Sequence, residues 1–100
     1  MAHNHIGNSP RVETQYATLF YLIDNFKTID GHHLSLTAGY LVRYIRTHPK
    51  LYIKEPHDKL VNAKIWGFIE EKEGMTYLTN KAHDYLLERD GNELTDLLDY

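Results

Sequence analysis

Ala63-Lys64-Ile65-Trp66-Gly67-Phe68-Ile69 runs into Glu70-Glu71-Lys72-Glu73-Gly74 and then into Met75-Thr76-Tyr77-Leu78-Thr79-Asn80. The order of chemistries in this stretch decides the fold. Gly67 can leave a helix at positive φ. Phe68-Ile69 and Met75 to Leu78 read as the arms of a short β-hairpin, with Glu70 to Gly74 as the polar turn between them. Thr79 or Asn80 ends the hairpin and caps another helix. One helix must therefore close just before Gly67 and another must open near residue 80.

Working upstream, Pro56 suits the first turn of the helix that Gly67 closes, because the donor it lacks would be unpaired there anyway. Leu60, Val61, Ala63, Ile65 and Phe68 are its expected buried residues. Before it, His48-Pro49 ends a helix capped by Ser35 or Thr37, with Ala38, Leu41, Ile45 and Tyr44 as apolar positions. Ile29-Asp30-Gly31 reads as a turn, and His32 to Leu36 as a loop or a single strand bridge. A first helix over roughly 13–28 is expected from Tyr16, Leu19, Phe20, Ile23 and Phe26 at helical spacing. Tyr21 and Leu22 widen its apolar arc beyond what one neighbour can cover.

Downstream, the helix after Thr79 extends to about Arg89 with Ala82, Tyr85 and Leu86 on one face. Asp90-Gly91 stops it, and Asn92 opens a short last helix carrying Leu94, Leu97 and Leu98. The chain thus divides into a disordered N-terminal arm, 1–11, a domain, 12–91, and a C-terminal helix, 92–100, that is a candidate dimerisation element. The expected class is mainly α with a small β-hairpin.

One hundred residues, 42% hydrophobic and 25% charged, fit a single ordinary domain able to bury roughly 65% of its unfolded surface. The absence of cysteine excludes disulfides, thiolate zinc sites and a cysteine nucleophile, and agrees with a reducing cytoplasm. The longest apolar run, Leu19 to Ile23, is far short of the roughly 20 residues of a bilayer span. The net charge of −3 argues against a chain coated with basic charge. Its distribution is uneven. Residues 43–64 carry six cations, Arg43, Arg46, Lys50, Lys54, Lys59 and Lys64, against Glu55 and Asp58, whereas 65–100 carry three cations against nine acids. A basic middle of this kind is either a solvated face or an electrostatic footprint for phosphate.

Three helices, a hairpin and a further helix resemble the winged helix-turn-helix DNA-binding domain of prokaryotic and phage regulators, and the words around the hairpin strengthen the likeness. Ala63, Gly67, Phe68 and Ile69 stand where that family carries leucine, three variable residues and Gly-Leu-Ile. Tyr77, Leu78, Thr79, Asn80 and Lys81 loosely match its Tyr-x-Leu-Thr-x-x-Gly. The resemblance covers roughly residues 14–89. It implies that Arg43 and Arg46 on the second helix, with Lys50 and Lys54 after it, lie across a DNA backbone as phosphate contacts. It implies too that His57, Lys59 and Asn62, near the start of the third helix, meet base edges, and that Lys72 is the cation of the wing. The chain departs from the pattern at Ala63 and Ala82, in the longer segment Pro49 to Glu55, and in the acids Glu70, Glu71 and Glu73 of the wing, which would oppose phosphate.

Seven histidines suggest metal, but His3/His5 and His32-His33 lack ligand spacing, so no metal or cofactor is expected, and His83 should lie on an exposed helix face. No phosphate loop, nucleophile elbow or paired-carboxylate spacing points to an enzyme. Eight tyrosines and Trp66 are either core packing or the rigid contacts of a protein interface. Two readings follow: a small dimeric winged-helix regulator that binds double-stranded DNA, and a winged-helix protein–protein interaction module with little DNA affinity.

Overall fold

The computed structural model describes residues 10–28 and 36–98, with side chains for 12–26 and 36–89. Helices α1 (Pro10–Thr28), α2 (Ala38–Thr47) and α3 (Pro56–Ile65) precede strands β1 (Ile69–Lys72) and β2 (Met75–Leu78), and helix α4 (Asn80–Leu98) follows them. A single 3₁₀ turn, Pro49–Leu51, sits between α2 and α3. The mainly helical class with one antiparallel hairpin is the one expected, and α1 buries Tyr16, Leu19, Phe20, Ile23 and Phe26 as its spacing requires.

The hairpin's supports are local. Gly67 takes φ 85°, the Phe68 amide donates to the Ala63 carbonyl at 2.9 Å and the Gly67 amide to Lys64 at 3.1 Å. This double closure is the glycine-ended helix stop that satisfies the last carbonyls of α3. The Thr79 hydroxyl donates to the Gly67 carbonyl at 2.6 Å and its amide to Phe68 at 3.0 Å, so one threonine closes the hairpin base. β1 and β2 pair from Ile69 with Leu78 to Lys72 with Met75. The reversal is therefore Glu73-Gly74 alone, both at positive φ, and not the longer turn beginning at Glu70. A two-residue turn with two left-handed residues matches strand twist and needs only one glycine. On the other edge of β2, the Thr76 amide donates to the Leu36 carbonyl at 2.7 Å, one backbone tie without a strand bridge at Leu36.

α2 is capped by Thr37, whose side chain accepts from the Tyr40 amide at 3.1 Å, and it buries Leu41 and Ile45. The core centres on Phe20, fully buried, with ring centroids of Phe68 at 5.2 Å and Tyr85 at 6.0 Å. A second aromatic group joins Phe26 of α1 to Tyr40 and Tyr44 of α2. Trp66, just past the end of α3, packs on Tyr16 of α1.

Several expectations are corrected. α1 begins at Pro10, taking Pro10 and Arg11 out of the arm; residues 1–9 lie outside the described residues, as do His32 and His33. Asp90-Gly91 does not stop α4, which continues to Leu98, so no separate helix opens at Asn92. A mid-helix glycine costs only about 1 kcal/mol, and Asp90 and Asn92 beside it do not add a proline-like break. Tyr21 and Leu22 are half-buried and packed on the core. His83 is half-buried. In α3 the buried set is Pro56, Leu60 and Ala63. Val61 and Ile65 are 42% and 74% exposed, because a helix buries positions i, i+4 and i+7 and turns the residues beside them away.

Candidate nucleic-acid interface

Four of the expected cations remain open to solvent. Arg43 and Arg46 lie on the exposed side of α2, opposite Leu41 and Ile45; Lys50 falls in the 3₁₀ turn and Lys54 in the segment before α3. Among the described residues none of the four is ion-paired; the pairs recorded are His57–Asp58, Lys64–Glu71 and Lys72–Glu70. The connector that holds Lys50 and Lys54 is shaped by two left-handed residues, Tyr52 at φ 56° and Glu55 at φ 48°. It is fastened to α1 by the Lys54 amide, which donates to the Gln15 side-chain carbonyl at 2.7 Å. Gln15 is one of two buried polar side chains among the described residues, and sequence reasoning passed over it. A polar residue between the apolar Val12 and Tyr16 gives no periodic signal of a long-range tie.

The expected base-facing residues are divided. His57 is exposed at the start of α3, with Asp58 at 3.8 Å. Lys59 turns back, donating to the Lys54 carbonyl, with its ammonium 5.9 Å from the Tyr16 ring centroid. Burial pulls the Lys59 pKa below its ordinary value, with Glu55 and Asp58 opposing the shift. Asn62 donates to the Tyr16 hydroxyl at 3.3 Å. Lys59 and Asn62 thus serve the α1–α3 junction, because the phase of α3 places them on its α1 side. Lys72 is tied to Glu70 at 3.1 Å, and Glu71 takes the Lys64 ammonium. Half of the eight sequence-predicted residues, Arg43, Arg46, Lys50 and Lys54, are therefore the open cations of α2 and the connector, while His57 lines the cleft between α3 and the hairpin.

Outside that surface, α3 presents Val61, Lys64 and Ile65, and a small cleft of about 110 Å³ opens between α3, Ala38 and the hairpin, lined in part by Val61, Ile69 and Glu71. A larger groove of about 840 Å³ lies between α1 and the connector. No group of three possible metal ligands occurs among the described residues, and no described helix is long and apolar enough to cross a membrane. Comparisons with protein-family models, with curated proteins and with solved structures found no match for the chain.

Proposed function

We propose that this chain is a cytoplasmic winged-helix DNA-binding protein, a regulator in which α2 and the connector grip the phosphate backbone of a duplex. The observation that carries the reading is the set Arg43, Arg46, Lys50 and Lys54, all exposed and none ion-paired among the described residues. Such cations gain from phosphate without first giving up an internal partner. The helix order and the hairpin add support, since α2 precedes a helix whose first turn, with His57, is open. Base discrimination through α3 is modest in this reading, because Lys59 and Asn62 are engaged with α1 and its connector. Dimerisation belongs to the same proposal and rests on α4, where Leu87 is 70% exposed on a helix that continues to Leu98.

Titration of a random-sequence duplex at low and moderate salt tests the reading. Affinity should fall steeply with salt, and undetectable binding at low salt would overturn it.

A second reading, protein docking through the α3–hairpin face, is favoured by one observation: Val61 and Ile65 are exposed beside an acidic hairpin. A partner of apolar and basic character would suit that face. Val61→Glu with Ile65→Glu would then abolish partner capture and leave duplex binding to α2 intact.

A further inference from the structure

The groove between α1 and the connector is walled by Thr14, Gln15 and Thr18 on one side and by Lys50, Leu51, Tyr52 and Lys54 on the other. Its volume of about 840 Å³ falls in the range of small-molecule sites, about 300–1,000 Å³. Three features limit what it can hold. Its two charged residues among those described are both lysines, and no carboxylate joins them. Tyr52, an aromatic ring in a half-apolar wall, is 77% exposed and is held in the left-handed region at φ 56°, where a bulky residue is strained. The Thr18 hydroxyl donates to the Thr14 carbonyl at 2.9 Å, which leaves its oxygen able to accept. Anion, flat ring and hydroxyl donor are the complements of lysines, tyrosine and threonine. We infer that the groove binds a nucleoside phosphate, with its base stacked on Tyr52, its phosphate between Lys50 and Lys54, and an N–H or O–H donor of its base or sugar toward Thr18. Stacking of a base on an aromatic ring contributes about 1–3 kcal/mol and is tolerant of base identity, so the site selects the class and not one base.

The inference goes beyond duplex binding and does not rest on it, because Arg43 and Arg46 do not line the groove. Lys50 and Lys54 are common to both surfaces, so an occupied groove would remove two of the four cations from a duplex. The same chemistry arrives either as a free nucleotide or as one unit of a single strand. Equilibrium dialysis of the full chain with AMP, with the oligonucleotide dT8 and with inorganic phosphate separates these. Saturable binding of AMP or dT8, at least tenfold tighter than phosphate, is expected. Tyr52→Ala should weaken it tenfold or more while Tyr52→Phe preserves it, and Lys50→Ala with Lys54→Ala should weaken it similarly. Circular dichroism checks that each variant is folded. AMP binding as well as dT8 assigns a free nucleotide; dT8 alone assigns a strand. Failure of both ligands, phosphate binding equal to AMP, or indifference to Tyr52→Ala in a folded variant would overturn the inference. Arg43→Ala with Arg46→Ala should leave AMP binding unchanged, so failure here and failure of the duplex reading are distinguishable.

Discussion

At the scale of single residues, the hairpin turn shows how a local rule and a side chain can disagree. Glu73 occupies a left-handed position at φ 53° next to Gly74 at φ 79°, where asparagine is the better occupant. Glu73→Asn should therefore raise stability by about 0.5–1 kcal/mol, read as a higher urea midpoint with unchanged slope. Gln15 behaves oppositely. Gln15→Leu removes the acceptor of the Lys54 amide and should cost about 1–3 kcal/mol, again by urea denaturation. Titration adds a third expectation. Burial raises the pKa of Tyr16 and of Tyr85 above 10.0, assisted by Asp58 for the first and Glu13 for the second, with their hydrogen bonds opposing. A raised pKa means stability that is complete below the ordinary value and lost as pH climbs through the folded one. Lys59, lowered by burial, acts in the reverse sense over the same alkaline range. Tyr16→Phe with Tyr85→Phe should therefore remove a loss of stability above about pH 10, read as a shallower decline of the melting temperature with pH than in the unsubstituted chain. The glycine stop at Gly67 and the caps at Thr37 and Thr79 were legible because each rests on near neighbours. The Gln15 tie spans α1 and the connector, and no local pattern announces it.

At the scale of elements, the helices α1, α2 and α3 and strand β2 were readable from periodicity and punctuation, β1 only at Ile69 because Glu70, Glu71 and Lys72 read as turn, and the other errors came from two different sources. The first was phase. In α3 four apolar residues, Leu60, Val61, Ala63 and Ile65, exceed what one face of a ten-residue helix can bury beside Pro56, and only Leu60 and Ala63 of them turn inward. Leu60→Ala should cost about 2–5 kcal/mol, whereas Ile65→Ala should change stability by less than about 0.5 kcal/mol. Comparable losses for the two would contradict the observed phase. The second source was punctuation overruled: Asp90-Gly91 reads as a stop, yet α4 passes through it. Gly91→Ala should then stabilise by up to about 1 kcal/mol, seen as a higher melting temperature; destabilisation would mean that the helix ends there after all. The candidate site shared the phase error, since Lys59 and Asn62 were assigned to the open face and lie toward α1.

At the scale of the whole molecule, the uneven charge along the chain leaves different cations in different circumstances. The acids of the hairpin are partly consumed by Lys64 and Lys72, while the basic segment of α2 and the connector is left open. A chain of net charge −3 can still present a local cationic face to phosphate, because screening confines each charge's reach to about 10 Å at 0.1 M salt. The central claim is that this face grips duplex backbone, and the salt dependence of duplex binding tests it most directly. Each phosphate contact contributes about −0.9 to the slope of log affinity against log salt. Arg43→Ala with Arg46→Ala, measured beside the unsubstituted chain on two unrelated duplexes, should weaken both alike and flatten the slope by about 2 per chain. An unchanged slope in the double variant, or a loss confined to one duplex sequence, would contradict the account.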